Sequence, residues 1–207
     1  MKVLLVNGSP HEKGCTYAAL CEVAKALNDN GVETEIYHIG KKPIAGCLGC
    51  GACAKLGKCV TDDLVGGFAE KAKTADGFVF GSPVYYASAA GNLVNFMNRL
   101  FYSGGKHLAY KPAAAVTSAR RAGTVAAFDV INKYFMINNM PVVSANYWNE
   151  VHGANDKAED VAKDEEGLQT MRILGNNMAW LLKCLELGKQ AGIEPKKEQK
   201  IRTNFVR

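Results

Sequence analysis

Short apolar runs and longer amphipathic stretches alternate along this chain, a pattern that predicts buried strands separated by helices. Apolar runs at residues 3–6, 77–81 and 113–117 predict strands that are buried on both faces. After the second run, the apolar residues fall at i, i+3, i+4, i+7 and i+8 of a helix, namely Leu93, Phe96, Met97, Leu100 and Phe101. Such alternation indicates an α/β fold with a parallel sheet covered on both faces.

Two further strands bring the predicted sheet to five. Residues 33–39 alternate like a half-buried edge strand, and residues 142–146 predict the fifth strand. Other helices are predicted at residues 16–30, 62–72, 125–138 and 171–185. Residues 150–167 are polar and acid-rich and predict an exposed connection into the last helix, and the charged tail covers residues 192–207.

Length, composition and charge narrow the class of protein. A chain of 207 residues that is 48% hydrophobic predicts one domain over residues 1–207. No apolar run reaches the roughly 18 residues of a membrane span, and the first apolar run is too short for a signal peptide, so a cytoplasmic location is expected. The net charge of +5 comes from scattered basic residues, so no nucleic acid is expected as a partner.

The loop after the first strand reads NGSPHEKGCT and ends at the first helix. It has neither a G-x-G-x-x-G nor a G-x4-G-K-[ST] pattern, which argues against dinucleotide and ATP sites. The hydroxyls of Ser9 and Thr16, together with backbone amides at a helix N-terminus, suit a single phosphate and therefore a mononucleotide. The alternative is that Ser9 belongs to an ordinary turn and Thr16 is an N-cap.

Two later loops carry residues that suit a flat ring. GSPVYYAS places Pro83, Tyr85 and Tyr86 at the end of a buried strand, where the tyrosines either flank a planar ligand or pack on the sheet edge. TSARRAGT follows the fourth strand, and its small residues let backbone amides approach a ring. Arg120 and Arg121 in this loop either suit the phosphate of a nicotinamide nucleotide or simply face solvent.

Four of the seven cysteines stand close together in CLGCGACAKLGKC, at the spacing C-x2-C-x2-C-x5-C. We call residues 46–60 the cysteine loop. Clustered cysteines in a reducing compartment are more often metal-binding or catalytic than disulfide-bonded, and the intervening glycines allow the loop to wrap a metal centre. Zinc, a disulfide and thiols without metal remain alternatives. The candidate ligands are Cys47, Cys50, Cys53 and Cys59.

GSPHEKGCT and, after the third strand, GSPVYYASAAGNLVNFMNR resemble the NAD(P)H-dependent FMN reductase branch of the flavodoxin-like superfamily over roughly residues 1–150. The resemblance implies a flavodoxin-like fold with a five-stranded parallel sheet in the order 2-1-3-4-5. It also implies FMN, with the phosphate on Ser9, Cys15 and Thr16 in the loop that contains His11. The isoalloxazine ring would lie on the later loops, at Pro83, Val84, Tyr85, Tyr86, Ala87, Ser118, Ala119, Arg120 and Gly123.

The sequence departs from the family pattern at two places. Cys15 stands where the family usually has Asn, so a contact there would come from the backbone amide. Asn98 and Arg99 replace the usual Asp-Arg pair, a change expected to affect helix packing more than the flavin.

The cysteine spacing resembles that of the iron–sulfur flavoproteins, a subgroup of the same family with FMN and a [4Fe–4S] centre in each subunit. Two functions therefore stay open. The first is an oxidoreductase that passes electrons from NAD(P)H through FMN to a quinone, a flavin or another small-molecule acceptor. The second is an electron-transfer protein whose cluster accepts electrons from a ferredoxin-like donor. A third alternative, a binding module for another mononucleotide, would leave the tyrosine loop unexplained.

The resemblance also implies a homodimer or homotetramer.

Overall fold

The computed structural model describes residues 1–154, 157–201, 203 and 205. Within these residues, five parallel strands form one sheet in the order β2-β1-β3-β5-β6. The strands are β1 (Lys2–Asn7), β2 (Glu33–His38), β3 (Gly77–Tyr85), β5 (Ala113–Ala119) and β6 (Glu150–His152). A two-residue strand, β4 (Ser88–Ala89), pairs antiparallel with the end of β3. The predicted flavodoxin-like fold and its parallel strand order are confirmed.

Helices cover both faces of the sheet. They are α1 (Cys15–Asp29), α2 (Ala52–Leu56), α3 (Leu64–Ala72), α4 (Gly91–Gly104), α5 (Thr124–Ile137), α6 (Ala158–Val161) and α7 (Glu165–Gln190), with a 3-10 turn at Gly105–His107. Most predicted helix ends agree with these bounds to within one or two residues. None of the helices in the described part of the chain is long and apolar enough to cross a membrane.

Strand residues alternate between two apolar cores, one on each face of the sheet. Phe80 and its neighbours on one face pack against α3, α4 and α5, where Phe96 is fully buried. Val79 and its neighbours on the other face pack against α1 and α7, where Leu20 and Met178 are fully buried. Because both faces are covered, the central strand β1 and the first residues of β3 and β5 are apolar, which explains their continuous apolar runs in the sequence; the edge strand β2 alternates instead.

The fifth strand is where the sequence prediction was wrong. Val142 makes one isolated bridge to Ala113, and the chain then leaves the sheet instead of forming a strand at residues 142–146. It returns at β6, whose three residues pair in parallel with the carboxyl end of β5. The edge of the sheet beside β5 is therefore formed by two short segments, Val142 and β6, with a loop between them.

Asn149 spans this interruption with its side chain. Its amide nitrogen donates to the carbonyl oxygens of Ala115 at 3.1 Å and Val143 at 3.5 Å. The backbone carbonyl oxygen of Asn149 accepts the backbone N–H of Thr117 at 2.9 Å. A side-chain amide thus replaces part of the missing strand ladder, because buried carbonyl groups of β5 require donors.

The segment after β5 is less exposed than its polar composition predicted. Val151 in β6 and Val161 in α6 are fully buried, so residues 150–167 are only partly an exposed connection; Asn155 and Asp156 lie outside the described residues. The described residues of the tail beyond Gly192 form no helix or strand. Within that tail, the Lys197 ammonium lies 5.4 Å from the centre of the Tyr110 ring.

Candidate functional site

Three loops meet at the carboxyl edge of the sheet. The first joins β1 to α1, the second is the β3–β4 hairpin, and the third joins β5 to α5. The hydroxyl groups of Thr16 and Ser118 lie 2.8 Å apart and connect the first loop to the third. Gly123 has a φ of +93°, and a Cβ there would lie 2.8 Å from a methyl carbon of Val84, so the third loop contacts the hairpin closely. The structure therefore brings the three sequence-predicted loops together.

The three helices that directly follow these loops are α1, α4 and α5, and their N-termini have two features in common. Among the described residues, no side chain caps α1, α4 or α5, and none of the three has an acidic residue in its first turn. By contrast, Asp63 caps α3 and Asp164 caps α7. Because an uncapped N-terminus presents backbone N–H groups and a partial positive charge, this edge suits an anionic ligand such as the phosphate of a mononucleotide.

The first loop is organised by its own side chains. Ser9 is buried, its hydroxyl accepts the backbone N–H of His11 at 3.1 Å, and its carbonyl oxygen lies 2.9 Å from Nε2 of His38. His11 itself is exposed. Cys15 is buried in the core beside α6, where a Cβ on Gly153 would lie 2.8 Å from its sulfur. The Cys15 side chain is thus part of the packing, and its backbone amide is the group that remains at the helix N-terminus.

The hairpin holds two tyrosines away from the core. Tyr86 is fully exposed and Tyr85 is partly exposed, so the alternative that both rings pack on the sheet edge does not describe them. The N–H of Ala87 donates to the carbonyl of Tyr85 at 2.9 Å across Tyr86, whose φ is +63°. This three-residue γ-turn is strained for a residue with a side chain. Pro83 is buried, Val84 is half-buried and Ala87 is exposed.

Two contacts from β6 and the residue after it hold the third loop in place. Nε2 of His152 lies 3.2 Å from the carbonyl oxygen of Arg121, and the N–H of Gly153 donates to the carbonyl of Ala119 at 3.1 Å. Ser118 is buried and Arg120 is exposed at the turn. Sequence reasoning gave His152 no role, because the pairing of β6 with β5 that places it here was not predicted.

The cysteine loop encloses a pocket of about 180 Å³ beside α4. All four predicted cysteines line it, together with residues of α4 that include Arg99 and Tyr102. Gly49, Gly51 and Gly57 adopt positive φ angles of 64° to 69°, which is the backbone freedom that the sequence predicted for this loop. None of the four thiols is in a disulfide. One pocket therefore collects four sulfur donors.

Three polar residues of α4 hold the segment that directly precedes the cysteine loop against the helix. The side-chain amides of Asn92 and Asn95 donate to the carbonyls of Lys42 at 3.0 Å and Ile44 at 2.9 Å. Arg99, one turn further on, donates to the carbonyl of Ala45 at 3.4 Å. These contacts were not predicted from the sequence, although the spacing of three and four positions places the three residues on one face of a helix. Since α4 also follows the hairpin directly, one helix supports both sites.

Arg99 also changes the electrostatics around Cys59. Its Nε donates to the Cys59 sulfur at 3.4 Å. Burial alone would raise the pKa of the Cys59 thiol, but the hydrogen bonds from Arg99 and from the backbone of Thr61 outweigh burial and lower that pKa. Since the thiolate is the form that binds metals, Cys59 is prepared as a ligand.

The spacing of the thiols bears on the kind of metal centre. In the described part of the chain, no three His, Cys, Asp or Glu residues stand close enough to share one metal ion. A four-iron cluster binds each thiolate through a different iron, so its ligands stand farther apart than those of a single zinc ion. Four thiolates that line one pocket are the donor set of such a cluster. The positions of the thiols do not suit a single zinc ion.

Fold and site together define a flavodoxin-like protein. The three loops at the carboxyl edge of its sheet, which we call the flavin edge, suit a mononucleotide, and its cysteine loop forms a pocket lined by four thiols. Residues 1–155 match the model of the family described as NADPH-dependent FMN reductase, and the chain belongs to that family.

The relatives and the solved structures agree with this assignment. The chain is 33% identical to an iron–sulfur flavoprotein of Methanocaldococcus jannaschii, over 90% of this chain and 100% of the relative. It is 28% identical to an iron–sulfur flavoprotein of Methanosarcina thermophila, over 90% and 97% of the two chains. RosB has a TM-score of 0.72 at 16% identity, covering 100% of this chain and 92% of that one. A flavodoxin from the domain Archaea has a TM-score of 0.59 at 18% identity, covering 88% and 99%. At these identities the structural similarity is evidence for the fold alone.

Proposed function

We propose that this chain is an FMN-dependent oxidoreductase of the iron–sulfur flavoprotein type, acting as a single domain with a [4Fe–4S] cluster in its cysteine loop. The single observation that carries the proposal is the pocket in which Cys47, Cys50, Cys53 and Cys59 meet beside a buried cation. Relatives that match nearly the full length of the chain are named iron–sulfur flavoproteins, which supports the same assignment.

FMN, when bound, supplies chemistry that links one-electron and two-electron transfer. The chain contributes the binding edge. Backbone amides at the start of α1, near Ser9, Cys15 and Thr16, would hold the phosphate at an uncapped helix N-terminus. The hairpin tyrosines would lie against the ring, with Ser118 and Gly123 opposite them in the third loop. His11 and Arg120 are the exposed polar residues at the rim of this edge.

The cysteine loop would hold the cluster through its four thiolates, each exposed or half-buried towards the pocket. The lining of the pocket is mainly apolar, and the Nε–H of Arg99 donates a hydrogen bond to the Cys59 sulfur. Because α4 connects this loop to the hairpin, the two proposed centres share one rigid support.

Redox partners follow from this arrangement. A ferredoxin-like protein would donate electrons to the cluster, and a quinone, flavin or similar small molecule would accept them at the flavin. The exposed Tyr86 and Leu48 near the two proposed centres suit coverage by another subunit, as in a homodimer or homotetramer. The proposed location is the cytoplasm, where reduced thiols persist.

A second candidate function is an NAD(P)H-driven flavin reductase in which the cysteine loop holds no metal. The family description and the exposed Arg120 beside the flavin edge favour it, since guanidinium groups pair with the phosphates of nicotinamide nucleotides. In that case NAD(P)H replaces the ferredoxin-like donor, and the same flavin edge is used.

Anaerobic purification followed by a visible spectrum, iron and sulfide analysis, and reduction assays separates the two functions. Flavin absorbance with a broad additional shoulder, about four iron atoms per chain and reduction by ferredoxin support the iron–sulfur flavoprotein. Flavin absorbance alone, iron near zero after reconstitution and rapid oxidation of NAD(P)H support the reductase. A colourless chain that does not take up FMN contradicts both.

A further inference from the structure

Arg99 lies in the middle of α4 with 1% of its surface exposed, and its guanidinium group is fully hydrogen-bonded. Nε donates to the Cys59 sulfur, and one terminal nitrogen donates to the Ala45 carbonyl, both at 3.4 Å. The other terminal nitrogen donates to the Thr61 carbonyl at 3.1 Å and to Asp63 at 2.9 Å. The first terminal nitrogen also contacts Asp63. All five N–H groups of the side chain thus have an acceptor.

These acceptors stand at the two ends of the cysteine loop. Ala45 precedes Cys47, and Thr61 follows Cys59, so one planar group ties the beginning of the loop to its end. Asp63 neutralises the guanidinium and is itself fixed as the N-cap of α3. A lysine at this position would offer its donors from a single nitrogen and would not reach both ends with the same geometry.

We propose that Arg99 is a positioning residue that closes the cysteine loop at its two ends and raises the reduction potential of the cluster bound there. The inference rests on the proposed cluster and assigns a role to a residue that does not ligate it.

The effect on potential follows from charge and hydrogen bonding. A reduced cluster carries one more negative charge than an oxidised one, and its sulfur ligands gain electron density. The guanidinium is paired with Asp63, so the effect comes from the hydrogen bond: an N–H group aimed at a ligand sulfur stabilises the reduced form more than the oxidised form. Removing the Nε–H bond to Cys59 therefore shifts the midpoint potential to a more negative value.

The experiment compares the full chain with Arg99→Lys and Arg99→Gln, all purified anaerobically with FMN. Arg172→Lys is the matched control, because Arg172 on α7 makes a surface ion pair with Glu22 on α1, away from the cysteine loop. Three quantities are measured: iron per chain, cluster midpoint potential by electron paramagnetic resonance, and hydrogen exchange of residues 46–60. Hydrogen exchange is also measured on the iron-free proteins, so that the effect of Arg99 on the loop is separated from the effect of losing the cluster.

In Arg99→Lys we expect exchange of the cysteine loop to accelerate about tenfold or more, since charged hydrogen bonds are lost. Iron retention should fall, in line with the roughly 10- to 100-fold effect of groups that support metal ligands. In the Arg99→Gln molecules that keep a cluster, the reduction equilibrium should change about tenfold, which is about 59 mV for one electron. FMN content and the Arg172→Lys control should match the parent.

The possible outcomes separate this inference from the proposed function. A parent without iron after reconstitution overturns the proposed cluster and the role in potential, and the exchange data still decide whether Arg99 closes the loop. A parent with iron whose Arg99 variants keep the same potential and the same loop exchange overturns the role of Arg99 and leaves the cluster standing. If Arg99→Gln does not fold, Arg99→Lys provides the same three measurements.

Discussion

Thr16 and Ser118 lie 102 positions apart in the chain and share a buried hydrogen bond of 2.8 Å between their hydroxyl groups. This bond joins the first and third loops of the flavin edge, so the phosphate and ring regions are positioned relative to each other. The Thr16 hydroxyl, which the sequence indicated as a phosphate ligand, is thus engaged with another loop, so the proposed phosphate site would rely mainly on the backbone amides of α1.

Replacing either hydroxyl should leave its partner unpaired in the core. We expect Thr16→Val and Ser118→Ala each to lower the free energy of unfolding by about 1–3 kcal/mol. The double variant should lose less than the sum, because the unpaired group is then gone. Urea unfolding of the four proteins, with FMN titration of each, measures both effects. Additive losses in unfolding would mean that the bond does not couple the loops.

The strained turn at Tyr86 predicts opposite effects on stability and function. Tyr86→Gly keeps the positive φ but relieves its cost, which is about 1–2 kcal/mol for a residue with a Cβ, so the variant should unfold at higher urea concentration. Loss of the exposed ring should weaken FMN binding or slow turnover. Tyr86→Asn is the control, since Asn also tolerates this conformation and lacks the ring. Parent-like FMN affinity and turnover in both variants would show that Tyr86 does not contact the flavin.

Asp63 balances the buried charge of Arg99. We expect Asp63→Asn to reduce the free energy of unfolding by about 3 kcal/mol, because it leaves a buried guanidinium without its counter-charge. The estimate is at the low end of the usual range since 27% of the Asp63 side chain is exposed. Asp62→Asn, which removes the same charge from an exposed neighbouring position, is the control and should change stability little. Equal losses in the two variants would contradict the role of the pair.

Each of the four loop cysteines should be needed for iron. Alanine at Cys47, Cys50, Cys53 or Cys59 removes one ligand, and we expect most of the iron to be lost under anaerobic purification while FMN remains, because the flavin loops are separate segments. Cys184→Ala, at an exposed cysteine of α7, is the control. Iron content close to that of the parent in all four variants contradicts a cluster, and loss confined to one cysteine indicates a different centre.

Asn149 should be important for the edge of the sheet that carries the third loop. Asn149→Ala leaves the carbonyls of Ala115 and Val143 without their side-chain donor, and we expect a loss of about 1–3 kcal/mol in the free energy of unfolding. Asn146→Ala, at an exposed position of the same loop, should have little effect. Thermal unfolding of the two variants compares them directly. An Asn149→Ala protein as stable as the parent would mean that water replaces the amide.

Several features were determined by the sequence alone. The helical period at Leu93, Phe96, Met97 and Leu100 predicted the buried face of α4, since regular spacing reports directly which side of a helix avoids water. Alternating strand and helix signals predicted the parallel sheet, and the four closely spaced cysteines line one pocket, while their role as metal ligands stays a prediction. Each of these patterns is set by residues that lie close together in the sequence.

Tertiary structure alone decided the rest. Residues 142–146 have the apolar composition of a strand, but only packing of the whole edge determines that the chain leaves the sheet there and returns at Glu150–His152. Arg99 is separated from Asp63 by 36 positions and from Ala45 by 54, and Thr16 from Ser118 by 102. Hydrogen bonds between such distant residues follow from the packing of α4 and α1 against the sheet, and a local pattern of apolar and polar residues carries no information about which distant group each polar side chain will meet.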